Sequence, residues 1–312
     1  MRATSGKRFH NVLCFRMLVC LHTLLLLGGM FLAAHAGGIV ADHRAVQEYS
    51  RIPPVWLAKA KALAIHYGHT SHGSQIMSGL GVLQTINATY AIEVRSAWDN
   101  PDWPPPVPST ALRIFDGQPE FGEQPADDYV TPELYWASAD GLARTRYVAG
   151  LGRYNASMWA FCGQMSEYGS AEINTYLQAL NTLEGEFPSM RFIYQTGHTD
   201  GGSAQWTSNV EQVRQYVREH NKVLFDFADI EMHDPAGVAH PTMTDACEWC
   251  EDWCTAHPED CDFEIDDCAH THKLQCIQKA KAMWWLAARL AGWPGAGAVA
   301  VPAITTLMMQ TP

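Results

Sequence analysis

Short apolar runs alternate along this chain with longer amphipathic stretches, and that alternation admits few folds. A short apolar run bounded by turn residues reads as a buried strand. A helical stretch between two such runs carries the chain back, so that successive strands lie parallel. The strand candidates are residues 62–67, 112–115, 156–161, 191–195 and 222–230. The helical stretches are 55–61, 75–83, 173–186, 209–220 and 273–291, the last stopping near Gly292 and Pro294. Residues 99–109 form a proline-rich loop, since proline removes donors and blocks helix. Residues 116–132 look irregular. The reading is an α/β fold with one parallel sheet covered by helices.

The first 36 residues read as an export signal. Arg2, Lys7, Arg8 and Arg16 make a basic leader, an apolar run follows over 17–34, and Ala34-His35-Ala36 is a small-x-small cleavage pattern. The run is nearly long enough to span a bilayer, so an uncleaved anchor is the alternative reading. Cleavage after Ala36 leaves one domain over 37–312, with no stable membrane insertion, in a secreted or periplasmic setting. The apolar, uncharged stretch 295–312 is either a last strand or a disordered tail.

Six cysteines fall in one block: Cys247, Cys250, Cys254, Cys261, Cys268 and Cys276. A zinc cluster favours paired Cys-x2-Cys units, and only Cys247 and Cys250 form one. Export favours oxidation, so the block reads as a disulfide-rich insertion over 245–276, before the last helix, with pairing left open. Cys162 remains unpaired and reads as a buried apolar side chain rather than a reactive thiol. The net charge of −12 argues against nucleic acid, which needs a cationic stripe facing its phosphates.

Ligands of a parallel sheet collect at the carboxyl ends of its strands. Three segments rich in glycine and polar groups lie there: 68–74, 162–164 and 197–202. A fourth, Asp267-Cys268-Ala269-His270, precedes the last helix. A serine is a weak nucleophile until a base takes its proton, and the base needs an acid to hold its tautomer. Asp267 and His270 sit close enough in sequence to meet that need for Ser71, while Ser74 reads as the cap of the following helix.

In their order these blocks resemble the SGNH (GDSL-type) hydrolase superfamily, from Gly68-His69-Thr70-Ser71 to the helix carrying Trp284-Trp285. The resemblance implies a three-layer, flavodoxin-like fold and a secreted ester hydrolase that needs no cofactor and no metal. It implies Ser71 as nucleophile, His270 as base and Asp267 as its orienting acid. Ser71 and Gly163 would supply oxyanion donors, with His69, His72, Gln164 and Asp200 around the pocket. The family's Gly-x-Asn-Asp block is here Gly197-His198-Thr199-Asp200, so Thr199 or His198 would replace the amide donor. The implied partner is a small-molecule or polysaccharide ester, carbohydrate acyl esters by analogy.

Two further readings stand beside this one. A secreted binding protein on the same fold, without turnover, would explain the missing asparagine. His66, His69 and His72, with His198 as a fourth ligand, raise the reading of a histidine-bound metal, centred on His69, His72 and His198, since imidazole suits zinc, copper, iron and nickel. Alternate strand residues face opposite ways, so His66 and His69 should diverge.

Overall fold

The computed structural model describes residues 38–99, 103–105 and 108–297. The export signal read over 1–36 and the tail from 298 onward lie outside the described residues. Seven strands form one sheet: β1 (Val40–Ala41), β2 (Ala64–Gly68), β3 (Ile92–Ser96), β4 (Leu112–Asp116), β5 (Ala156–Trp159), β6 (Arg191–Gln195) and β7 (Val223–Phe225). Their order is β1-β7-β6-β5-β2-β4-β3, and every neighbouring pair is parallel. Without the edge strands β1 and β3, the order counted from β2 is second, first, third, fourth, fifth, as in doubly wound sheets with a switch point beside the first strand.

The helices are α1 (His43–Glu48), α2 (Pro54–Ala60), α3 (Ser71–Ile86), α4 (Pro132–Tyr135), α5 (Ala139–Gly150), α6 (Gln164–Glu167), α7 (Ser170–Glu186), α8 (Ala204–His220), α9 (Phe227–Met232), α10 (Cys250–Ala256) and α11 (Lys273–Leu290). Strand residues alternate between two apolar clusters, as the period of two requires. Ile65, Tyr67, Met158 and Ile193 pack with Ile76, Leu80 and Leu83 of α3 and with Ile277 and Trp284 of α11. Phe115, Trp159, Phe192 and Tyr194 pack on the opposite face with Tyr176 and Leu180 of α7 and Val210, Val213 and Val217 of α8. The result is three layers, helices on both faces of the sheet. Close approach of α3 to α11 depends on Gly79, where a Cβ would meet the carbonyl oxygen of Cys276 at 2.0 Å.

The structure moves several expected boundaries. Residues 222–230 divide into β7 and α9, because Asp226 caps the new helix by accepting from the Asp229 N–H at 3.2 Å. Helix α3 begins at Ser71, not at 75, so Ser74 lies inside the first turn and its hydroxyl donates to the Ser71 carbonyl at 2.6 Å. Edge strand β3 was not foreseen: it carries Glu93 and Arg95 and is only partly buried, so it lacks the apolar signature of an inner strand. The cysteine block forms three bridges between neighbours in sequence, Cys247–Cys250, Cys254–Cys261 and Cys268–Cys276, and leaves Cys162 free. Among the described residues no helix is long and apolar enough to cross a membrane.

Candidate functional site

The carboxyl ends of β2, β5 and β6 converge with the loop before α11, and most of the expected site residues lie on that rim. Ser71 and His72 open α3 directly after β2. Gly73 lets this turn settle against the sheet, for a Cβ there would meet His69 Cβ at 2.3 Å and Ala160 Cβ at 2.8 Å. The Tyr67 hydroxyl fixes the same turn by donating to the Gly73 carbonyl at 2.9 Å.

Cys162, in the loop after β5, faces this turn. Its Sγ lies 3.0 Å from Nδ1 of His72 and 3.7 Å from the Ser71 hydroxyl. On the far side of the ring, His72 Nε2 lies 3.0 Å from Oδ2 of Asp245. A carboxylate only accepts, so Nε2 carries the proton and Nδ1 is left to take one from the thiol. Burial alone pushes the Cys162 thiol up. The hydrogen bond and charge of His72, helped by the hydroxyls of Thr70 and Ser71, outweigh it and bring the thiol down to about 6. Burial likewise lowers His72, but its bonds to Cys162 and Asp245 raise it overall. The two shifts favour a thiolate beside an imidazolium.

The His72 ring is held from both faces. His198 stacks on it at 3.8 Å between centroids and His270 at 4.4 Å. His198 itself is fixed through its Nδ1, 2.8 Å from the Thr199 carbonyl, while Trp206 Nε1 donates to its own carbonyl at 2.6 Å. His270 is exposed and adopts φ +68°, a conformation uncommon outside glycine. The Cys268–Cys276 bridge and a 2.5 Å hydrogen bond from Gln75 Nε2 to the Ala269 carbonyl hold that turn.

Thr199 is committed elsewhere. Both its N–H and its hydroxyl donate to Oε2 of Glu231, at 2.7 and 3.0 Å. Glu231 is fully buried and pairs at 2.8 Å with Lys279, also fully buried, whose Nζ donates to Gln75 Oε1 at 2.6 Å. This network ties α3, α9 and α11 beneath the rim. Asp200 accepts from Ser166 and Ser203 and pairs with Thr244, next to Asp245. Gln164 accepts the Cys162 N–H at 2.6 Å, so that amide is occupied. Among the described residues, no protein group accepts from the Gly163 N–H, at the start of α6.

The expected chain Ser71–His270–Asp267 is not assembled in this structure. Among the described residues no hydrogen bond joins Asp267 to His270 or His270 to Ser71. Asp267 is exposed and lines a surface hollow with Ser78 and Val82 of α3, well along that helix from Ser71. The expectation that Cys162 is an inert apolar side chain is also corrected, because it is half-buried among polar partners. Asp245 was missed outright, since one aspartate in an acidic loop carries no local signal. Cys162 did carry one, as the odd cysteine left among the described residues once the six of the block pair.

The histidines of the metal reading divide. His66 is a neutral core residue: its Nδ1 lies 2.7 Å from Ser157 Oγ and its Nε2 3.0 Å from the Gly117 carbonyl. Burial pushes it down to about 4. His69 pairs with Asp116 at 2.9 Å, on the β4 side of β2. Only His72 and His198 come together, and with Asp245 their ligand-capable atoms lie within 4.8 Å of one another. Both nitrogens of His72 are already used, by Cys162 and Asp245, which favours proton transfer over coordination at this ring.

No protein-family model, curated protein or solved structure matches the chain.

Proposed function

We propose that the protein is an exported acyl hydrolase that cleaves an ester-type bond through a covalent intermediate on Cys162. The observation that carries this reading is the unbroken chain Cys162–His72–Asp245, with both links at 3.0 Å. The Cys162 thiolate attacks the acyl carbonyl, and the thiol proton resides on His72. The imidazolium then protonates the departing alkoxide as the carbon–oxygen bond breaks. Water, deprotonated by His72, releases the acid and restores the thiol. Asp245 keeps His72 in the required tautomer throughout. The Gly163 N–H and the Ser71 hydroxyl are the donors this rim offers to the oxyanion. The three disulfides support an oxidising compartment, in keeping with export.

A second reading keeps Ser71 as nucleophile and the SGNH-like mechanism. It is favoured by the place of Ser71, first in the helix after β2 and 3.7 Å from the same sulfur. In this reading His270 leaves the face of His72 and reaches Ser71.

One experiment separates the two. Oxidised protein lacking residues 1–36 is mixed with p-nitrophenyl acetate, quenched early and mapped by peptide mass. A stoichiometric burst with the acetyl group on Cys162, absent in Cys162→Ala, is the expected result. Acetyl on Ser71, absent in Ser71→Ala, transfers the role to the serine. Neither burst nor adduct in folded protein defeats covalent acyl transfer altogether.

A further inference from the structure

A second cluster of ligand-capable side chains lies at the far edge of the sheet, and the acyl-transfer chemistry does not use it. Parallel pairing of β1 with β7 brings the first residues of α1 and α9 side by side. His43 starts α1. Asp229 and His233 lie one turn apart at α9. The ligand-capable atoms of the three lie within 4.8 Å of one another. We propose that His43, Asp229 and His233 bind one divalent transition cation of the zinc class.

The geometry is close to what such an ion requires. Ligands about 2.1 Å from one tetrahedral ion lie ~3.4 Å apart. Nδ1 of His43 and Nδ1 of His233 lie 2.5 and 3.6 Å from the same Oδ1 of Asp229, which brackets that spacing. The two rings stack at 3.8 Å with 19° between their planes. The same Nδ1 of His233 lies 2.8 Å from the Asp229 carbonyl, a hydrogen bond it gives up when it turns to the ion.

Two arginines act on Asp229 through space, but neither is bonded to it. Arg44 is paired with Asp42 and Arg214 with Asp226, and among the described residues no lysine or arginine pairs with Asp229. The side chains of His43, Asp229 and His233 are 21%, 19% and 14% exposed, which permits entry yet limits competition from water. Two imidazoles and one carboxylate suit zinc, cobalt, nickel or iron rather than calcium or magnesium. The ion would enter where the His43 ring now meets Asp229, and the ring would coordinate it through Nδ1. It would brace α1 against α9, the helix that also carries Glu231.

Cobalt is the direct probe. The protein, lacking residues 1–36 and with disulfides intact, is freed of metal by chelator and titrated with Co²⁺. The expected result is one ion per chain and visible d–d bands without sulfur-to-cobalt charge transfer. His43→Asn and His233→Asn each weaken binding on the order of a hundredfold, whereas His72→Gln does not. Two ions per chain, one lost with His43→Asn, support the site equally. No stoichiometric binding overturns it. Binding that survives His43→Asn but disappears in His72→Gln overturns it too, assigning the ion to the other cluster. Near-UV circular dichroism of the metal-free variants separates a lost ligand from a lost fold.

Discussion

The sulfur of Cys162 lies 3.0 Å from Nδ1 of His72, although 90 positions separate them in the chain. The contact exists because β2 and β5 are neighbours in the sheet and both end on the same rim. It pairs an acid and a base whose shifts reinforce each other, and it fixes how the thiol responds to pH.

Alkylation of Cys162 by iodoacetamide should follow a midpoint of about 6, rising as pH increases. In His72→Gln the thiol loses its hydrogen bond and its cation while burial remains, so the midpoint moves to the ordinary value of 9.0 or above. The thiolate fraction at pH 7 then falls about a hundredfold. Higher intrinsic nucleophilicity offsets most of that, leaving a reaction slower by about three- to sixfold. An unchanged midpoint in the variant would remove His72 from the site.

Asp245→Asn should leave the fold intact and impair turnover. The amide can donate to Nε2 of His72, which favours the tautomer with its proton on Nδ1, facing the sulfur. The acetyl burst should slow by about a hundredfold or more, with little change in melting temperature. A burst rate equal to that of the parent protein would make Asp245 a bystander.

The buried pair Lys279–Glu231 should be costly to break. Lys279→Met leaves an uncompensated buried carboxylate and is expected to cost about 3–5 kcal/mol in urea unfolding. Adding Glu231→Leu removes that charge and recovers part of the loss. Recovery stays incomplete, because the Thr199 N–H and hydroxyl lose their acceptor. Equal stability of the single variant and the parent would contradict the burial described here.

His66 should make the protein acid-sensitive. Its pKa falls from the ordinary 6.5 to about 4 on folding, because burial disfavours the charged ring. Below 6.5 the unfolded chain takes up the proton first. Stability is therefore full above 6.5, is lost as pH falls towards 4, and is not lost further below that. The loss is about 3 kcal/mol. His66→Asn should show a shallower decline over the same window in pH-dependent urea melts, from a lower starting stability.

The Cys268–Cys276 bridge closes a short loop beneath His270. Replacing both cysteines by alanine should cost about 2–3 kcal/mol. It should also release the positive φ of His270, read as faster amide exchange over 268–272. Chelators should leave alkylation of Cys162 untouched, since the thiol and imidazole need no ion. Metal-dependent reactivity would move the chemistry to His72, His198 and Asp245 as ligands.

The sequence by itself determined the parallel α/β sheet, because the periods of apolar residues report which face of each element is buried. It also marked the rim segments at Gly68–Ser74, Cys162–Gln164 and Gly197–Gly202, since glycine and polar groups at strand ends are a local signal. The six-cysteine block was legible as disulfides, though not in its pairing. Helix α9 was hidden in an apolar run, because Asp226 caps a helix only once Asp229 folds back to it. The pairing of Cys162 with His72 and Asp245, like that of Glu231 with Lys279, was decided by tertiary structure alone. These partners lie on different strands and helices, brought together by strand order and helix packing. A side chain far along the chain shifts a pKa only through distance in space, and the one-dimensional pattern does not contain that distance.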